Sequence, residues 1–370
     1  MKVTFPHMGN IYVLVKTLFD TLGAEYAIPP KGSKKTLEIG TKCSPEMACI
    51  PLKINIGNFV EAIRMGADTV VITGGCGPCR FGYYAEMHRQ MLKEMGYNVD
   101  IITLEIDDTG IKGLVEKLKK LFPGKSVVEI ARAMLKGFGA MKEMDKLDEI
   151  CYKIRPREIE KGATDRIMKK FEEDILKVKG EKEIMRLIKD TRKAIEKLPV
   201  DKNFKPLRIG IVGEIYTLIE PLTNLNIEKT LGNMGVEVAR SLTISKWISR
   251  HILQAGIKFK PRPFEKSAFP YIRTMIGGHA QETVGHTVIY SKEGFDGVVQ
   301  IYPLTCMPEV VAGSILPTVS KDYDIPVLTL VVDEITGEAG YITRIDAFVD
   351  MLSRRKERRE HKNELVLSGD

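Results

Sequence analysis

The sequence predicts an α/β protein in which two lobes, each built on a parallel sheet, flank a helical insert. Short apolar runs rich in β-branched residues alternate with segments of helical spacing near both ends of the chain, and glycine or proline residues separate them. The middle of the chain has helical spacing without a strong strand pattern. Strands that alternate with helices are typical of parallel sheets covered by helices on both faces.

The N-terminal lobe is predicted at about residues 1–110. Its strands and helices alternate, and a loop from Cys43 to Cys49 precedes the second helix. Strands are predicted at 2–6, 24–28, 67–72 and 99–104, and helices at 12–22, 52–66 and 83–95.

A highly charged helical segment is predicted at about 111–205, and the C-terminal lobe at about 206–370. The helices expected in the segment lie at 113–122, 126–142, 144–152, 164–179 and 182–198. In the C-terminal lobe, strands are predicted at 207–214, 236–241, 298–303 and 326–332, and helices at 227–234 and 344–360.

The two α/β lobes resemble diverged copies of each other. Three pairs of short segments match in the same order along the chain, and a cysteine follows the second pair in both copies. The pairs are 19–26 with 229–238, 66–72 with 294–301, and 97–102 with 323–328. A true repeat predicts that both lobes bring cysteine-bearing strand ends to one cleft.

Composition and charge argue against several classes of protein. Apolar residues make up 44% of the 370 residues and charged residues 28%, as in a protein with sizeable cores. No apolar run reaches the ~18–20 residues of a membrane span, and the first residues lack a signal-peptide layout. We therefore expect a cytoplasmic protein without a membrane partner. The net charge of +7 is modest, and no basic face interleaved with aromatic residues is visible, so we expect no nucleic-acid partner.

The stretch 73–82 is where we expect the chemistry. It holds Cys76 and Cys79 in a C-x-x-C pattern, directly after the predicted strand 67–72. Ligands of open α/β sheets bind beyond the carboxyl ends of the strands. The glycines of this stretch, Gly77 among them, expose backbone N–H groups that can hydrogen-bond thiolate or sulfide. The helix that follows favours negative charge at its N-terminus.

The other cysteines extend this candidate site. Cys43 and Cys49 flank a loop, and Cys306 follows a predicted strand. In a long chain without a secretion signal, we expect thiols, metal ligands or redox groups more than disulfides. Zinc, thioredoxin-like and iron–sulfur sites share the C-x-x-C pattern. Thiolates from several strand ends favour an iron–sulfur cluster, with zinc and a redox or inert role as alternatives. Cys151 lies in a helical stretch and is expected to be a small buried apolar residue.

Five motifs together resemble one known family. They lie at 44–53, 57–59, 75–84, 302–309 and 333–337, with the sequences SPEMACIPLK, GNF, GCGPCRFGYY, YPLTCMPE and DEITG. They are similar to motifs of the 2-hydroxyacyl-CoA dehydratase (2-hydroxyglutaryl-CoA dehydratase D-component) superfamily. The resemblance is to its CoA-activase-associated branch, which includes double-cubane-cluster proteins, and it covers both α/β lobes.

The resemblance implies flavodoxin-like domains around an oxygen-sensitive iron–sulfur cluster, either [4Fe–4S] or larger. It also implies a separate ATP-hydrolysing iron–sulfur activator protein, an acyl-CoA or other small-molecule substrate, and a homodimer. Matched residue by residue, Cys49, one of Cys76 and Cys79, and Cys306 correspond to the family's ligands. Cys43 and the remaining C-x-x-C cysteine exceed what one cubane needs. They indicate a larger, double-cubane type of cluster and, in a single chain, argue against a plain two-subunit dehydratase.

Further polar residues are candidates for catalysis. Glu214 follows the glycine turn after the first strand of the C-terminal lobe, and Glu309 follows Cys306 by three residues, so either carboxyl group can relay protons. His279 lies in a Gly-Gly-His turn that opens a helix, where an anion or a substrate carbonyl can bind. A purely structural role is the alternative for each of these residues and for His7, which follows the first strand.

Arg80, next to the C-x-x-C pair, is expected to offset the charge of an anionic cluster. The chain has no GxxxxGK[ST] loop, so ATP hydrolysis is expected from the partner. The predicted function is that of an ATP-activator-dependent low-potential reductase or a dehydratase-like enzyme. A non-enzymatic, cluster-bearing electron-transfer or scaffold protein is the first alternative, and a structural zinc protein is the second.

Overall fold

The protein has a mixed α/β fold with two separate parallel sheets, as the sequence predicts. The computed structural model describes residues 1–74, 79–105, 110–250 and 262–368, with the side chains of the last helix described as far as residue 361. Within these ranges, no helix is both long enough and apolar enough to cross a membrane.

The N-terminal sheet has three strands in the order β1-β2-β3. They are β1 (Val3–Thr4), β2 (Thr69–Thr73) and β3 (Asp100–Leu104). The strand predicted at 24–28 is reduced to a single parallel bridge between Val3 and Tyr26. Two consecutive prolines at 29–30 have no N–H groups to extend the ladder, which explains why the pairing stops there.

Four α-helices pack around this sheet. They are α1 (Ile11–Leu22), α2 (Lys34–Cys43), α3 (Ile50–Arg64) and α4 (Tyr84–Glu94), and a short 3-10 helix (Arg80–Tyr83) precedes α4. Helix α2 was not predicted, since its sequence is rich in lysine and contains Gly40. A capping box at Ser33 begins it. Gly40 is required because a Cβ there would lie 1.7 Å from the Lys53 carbonyl oxygen of α3.

The segment between the lobes consists of four helices. They are α5 (Gly110–Leu121), α6 (Val127–Ile154), α7 (Ala163–Asp174) and α8 (Gly180–Glu196). The helices predicted at 126–142 and 144–152 form the single helix α6, because no proline or glycine separates them. One apolar core joins α1, this segment and the C-terminal sheet, and it includes Val13, Met144 and Ile209. The segment therefore packs against both lobes.

The C-terminal sheet has four strands in the order β5-β4-β6-β7. They are β4 (Leu207–Gly213), β5 (Val236–Arg240), β6 (Gly297–Pro303) and β7 (Val327–Val332). The helices are α9 (Ile215–Ile219), α10 (Pro221–Asn224), α11 (Ile227–Asn233), α12 (Ile244–Ile248), α13 (Pro263–Ala268), α14 (Ala280–Lys292), α15 (Met307–Asp322) and α16 (Glu338–Ser368). If the Tyr26 bridge is counted as a strand, the N-terminal sheet has the same order, as expected for repeated lobes.

Candidate functional site

The site lies where both sheets present the carboxyl ends of adjacent strands. In the C-terminal sheet the chain adds β5 on one side of β4 and then β6 on the other, so the winding direction changes between β4 and β6. When the Tyr26 bridge is counted as a strand, the same change occurs between β1 and β2 in the N-terminal sheet. Open α/β sheets bind ligands at such switch points. Cys79 follows β2 and Cys306 follows β6, while His7 and Glu214 follow β1 and β4.

Three of the predicted cysteines each stand directly before a helix. Cys49 precedes α3, Cys79 precedes the 3-10 helix, and Cys306 precedes α15. Backbone N–H groups also donate to two of these sulfurs, from Phe81 to Cys79 and from Glu309 to Cys306. Free N–H groups and the positive end of a helix stabilise negative charge, so all three positions suit thiolates.

Arg80 connects the loops that carry these cysteines. Its Nη2 atom lies 2.8 Å from Cys49 Sγ and donates to the Thr305 carbonyl oxygen at 3.0 Å. Its Nη1 atom donates to the Met47 carbonyl oxygen at 3.2 Å. Thr305 directly precedes Cys306 and has a φ of 71°, an unusual value for a β-branched residue. Arg80 also donates to the Thr305 hydroxyl group, so the guanidinium group holds the Cys306 turn of the opposite lobe.

The charge of Cys49 acts on both of the other thiols, Cys79 and Cys306. Loss of hydration raises the pKa of the Cys79 thiol, the negative charges of Glu214 and Cys49 raise it further, and Arg80 lowers it. Burial raises the pKa of Cys306 strongly, and Glu214, Glu309 and Cys49 add to the effect. With their pKa values raised, Cys79 and Cys306 retain their protons unless a positive group binds beside them, as a metal ion would.

The other predicted ligand residues are Cys43 and Cys76, which are not among the three cysteines described above. Cys43 ends α2, where its Sγ donates to the Ile39 and Gly40 carbonyl oxygens of the same helix at 3.3 and 3.5 Å. It lies on a helix end and not in a loop. Cys76 and Gly77 lie outside the described residues. Among the residues that are described, no group of three or more His, Cys, Asp or Glu side chains is arranged to hold a metal ion.

Glu309 is a fully buried carboxyl group beside Cys306. It accepts hydrogen bonds of 3.0 Å from the Thr283 hydroxyl group and from Gln300 Nε2. Burial raises its pKa to about 7, and the charge of Glu214 contributes to the shift. A carboxyl group with this pKa can hold and release a proton near neutral pH.

Glu214 is bound differently, since it caps α9. Its carboxylate accepts hydrogen bonds from the backbone N–H groups of Tyr216 at 3.0 Å and Thr217 at 2.9 Å, and from the Thr217 hydroxyl group at 2.6 Å. Burial raises its pKa, while these donors lower it. Burial is the larger cause, so the pKa of Glu214 is raised overall, and the donors offset this shift only in part.

His279 directly precedes α14, as predicted. Its Nε2 atom lies 3.8 Å from a Glu282 oxygen of the same helix. The turn before it packs on the start of α15, because a Cβ at Gly278 would lie 2.9 Å from Pro308. His279 is thus in the vicinity of the Cys306 turn, with its ring beside Glu282.

Sequence reasoning included Tyr84 and Lys53 in its motifs but gave neither of them a role in the site. The Tyr84 hydroxyl group hydrogen-bonds Cys49, and burial raises the pKa of this phenol well above its usual value. Lys53 is buried and forms an ion pair with Glu334 of the C-terminal lobe. A lysine between Leu52 and Ile54, in an almost wholly apolar helical run, was the available signal for the second residue.

No family model matches the chain, and no curated protein matches it either.

Proposed function

We propose that the protein is a cytoplasmic iron–sulfur protein related to the 2-hydroxyacyl-CoA dehydratase superfamily. In this proposal it acts as a low-potential reductase, or as an (R)-2-hydroxyacyl-CoA dehydratase-like enzyme, and depends on a separate ATP-hydrolysing iron–sulfur activator. The observation that carries the proposal is that Arg80 bridges the thiol of Cys49 in one lobe and the turn of Cys306 in the other.

The chemistry of the donor residues, all of them cysteines, supports an iron–sulfur cluster. Cys49, Cys79 and Cys306 are the proposed ligands, with Cys76 and Cys43 as additional thiols for a larger, double-cubane type of cluster. Thiolates are the ligands that such clusters use, and helix N-termini favour the deprotonated form. A bound cluster supplies one-electron chemistry at low potential.

The surrounding residues have proposed roles of their own. Glu309 holds a proton beside the site and delivers it to a reduced substrate, while Glu214 keeps a negative charge against the thiols. Arg80 offsets the charge of the thiolates. His279 binds a substrate carbonyl or anion at the start of α14. The substrate is an acyl-CoA or another small molecule.

Anaerobic purification followed by iron and acid-labile sulfide assays tests the cofactor. We expect both elements in comparable amounts, with a broad visible absorption that air bleaches. Bound zinc without sulfide would support the structural zinc protein instead. A metal-free, colourless product after anaerobic reconstitution with iron and sulfide would contradict both assignments.

Assays with ATP and a candidate activator test the activity. The purified chain alone is expected to show negligible ATP hydrolysis, since it lacks a phosphate-binding loop. With the activator, a homodimer is expected to reduce or dehydrate its substrate. Cluster reduction without turnover of any acyl-CoA or small-molecule substrate would favour the electron-transfer or scaffold alternative.

A further inference from the structure

The loop that leads to Cys49 is bound by a buried lysine. The Lys53 side chain is only 1% exposed. Its Nζ atom donates to the Glu46 carbonyl oxygen at 2.9 Å, in the loop that precedes Cys49. The same atom forms an ion pair with Glu334, which lies just beyond β7 in the other lobe. The tight contact of Gly40 with the Lys53 backbone fixes the start of this side chain.

Arg80 binds the same loop at the neighbouring carbonyl group. It donates to the Met47 carbonyl oxygen, the one after that of Glu46, and also to Thr305 of the other lobe. Two cations therefore bind successive carbonyl groups of the Cys49 loop, and each also contacts the C-terminal lobe. Of the two, Lys53 has the more deeply buried side chain, and a buried charge without its partner is strongly unfavourable.

We infer that Lys53 and Glu334 form an inter-lobe lock that positions the Cys49 thiol opposite Cys306. The inference rests on the proposed function, because that function makes these two thiols part of the functional site. Lys53 touches neither sulfur, so it is a positioning residue that acts through the loop it holds. Loss of the lock is expected to let the lobes separate locally, without unfolding the core that surrounds Cys151.

Thiol alkylation of the reduced, metal-free protein, resolved for each cysteine by mass spectrometry, tests the lock. In wild type, buried Cys49 and Cys306 should react slowly. In Glu334→Gln and Lys53→Gln we expect both cysteines to react about tenfold faster. A factor of about this size corresponds to the loss of one hydrogen bond to a charged group. Lys53→Arg keeps the charge and should restore slow labelling. Cys151 should stay slow in all three variants.

Lys16 provides a matched control. Its side chain is 3% exposed and pairs with Asp20 at 3.4 Å within a single helix of one lobe. Lys16→Gln removes a buried lysine of the same kind, so it should leave Cys49 and Cys306 at wild-type rates. Faster labelling of these two cysteines in Lys16→Gln would show a general loosening and overturn the lock.

The remaining outcomes decide the inference separately from the proposed function. Labelling of Cys49 and Cys306 in Glu334→Gln within twofold of wild type would overturn the lock, and this variant decides if Lys53→Gln does not fold. Equal acceleration at Cys151 would overturn it as well. Because the protein carries no metal in this assay, a lock effect without any iron binding in separate assays would uphold the inference and reject the proposed function.

Discussion

The two lobes share a strand order but supply different chemistry to the site. The N-terminal lobe contributes Cys49 and Cys79, together with the Arg80 guanidinium group that binds the first of them. The C-terminal lobe contributes Cys306, the buried carboxyl group of Glu309 and the half-buried one of Glu214. The difference shows that corresponding strand ends of the two lobes carry different side chains at the site.

The ends of the first strands show the same divergence. After β4, Glu214 caps a helix of its own lobe and faces the thiols. After β1, the buried His7 pairs instead with Glu220 of the other lobe, with 3.0 Å between Nδ1 and Oε2. The same carboxylate oxygen accepts a hydrogen bond from the Gly9 N–H group at 2.9 Å. At this position the N-terminal lobe has an interface contact and the C-terminal lobe has a site residue.

Cysteine substitution is expected to have the largest effect. Serine is a harder and poorer ligand for iron than thiolate. If both lobes hold one cluster, Cys49→Ser, Cys79→Ser and Cys306→Ser should each lose most of the bound iron and the visible absorption. Iron assays on anaerobically reconstituted protein measure this.

Two other cysteines serve as references for that experiment. Cys151 is buried in the core shared by the helical segment, and Cys151→Ser should keep its iron. Cys43→Ser distinguishes the size of the cluster, since iron should fall little for a single cubane and by a large fraction for a larger one. Full iron retention in the Cys49, Cys79 and Cys306 variants would reject the cluster.

The C-terminal sheet depends on a glycine at the end of its first strand. Gly213 ends β4 with a φ of 139°, and a Cβ there would lie 1.9 Å from the Ile301 carbonyl oxygen of β6. Gly213→Ala should lower the free energy of unfolding by about 3 kcal/mol or more, through backbone strain and the clash. Chemical denaturation measures the loss.

Gly139 is the control for this substitution. It lies inside α6, and a Cβ there would have no atom within 4 Å. Gly139→Ala should therefore raise the free energy of unfolding, by up to about 1 kcal/mol, because alanine favours the helix. A small effect of Gly213→Ala, similar in size to that of Gly139→Ala, would contradict the described contact between β4 and β6.

The carboxyl group assigned to proton delivery predicts a pH dependence of stability. In the folded metal-free protein Glu309 keeps its proton up to about pH 7, whereas its ordinary pKa is 4.5. Between these values the folded state binds more protons than the unfolded state. The free energy of unfolding should therefore fall as the pH rises through this window, by up to roughly 3 kcal/mol.

The glutamine in Glu309→Gln cannot titrate. The free energy of unfolding of this variant should therefore fall less over the same pH window. Denaturant titrations of both proteins across the window give the comparison, and the difference between them isolates Glu309 from other titrating groups. Parallel curves for the two proteins would show that Glu309 is not protonated near neutral pH, and its proposed role would then be withdrawn.

The fold could be predicted further than the site. Apolar β-branched runs identified the seven strands found in the described part of the chain, because a buried parallel strand has a distinctive composition. A whole strand was predicted at 24–28, where only a single bridge forms at Tyr26. Helix α2 was missed, since its packing depends on close contact at Gly40. The cysteines were visible as motifs.

The contacts around the cysteines could not be predicted, because these contacts depend on tertiary structure. Lys53 and Glu334 are 281 positions apart, and no local pattern connects them. The left-handed backbone of Thr305 likewise has no signal in its sequence, since β-branched residues rarely adopt it.

The central claim is that thiols from both lobes meet at one site, and a bifunctional thiol reagent tests it directly. Reduced, metal-free protein is treated with dibromobimane, which joins neighbouring thiols, and the linked peptides are identified by mass spectrometry. We predict a link from Cys306 to Cys49 or Cys79, across the two lobes. Links confined to cysteines of the N-terminal lobe, with Cys306 modified only singly, would contradict the account.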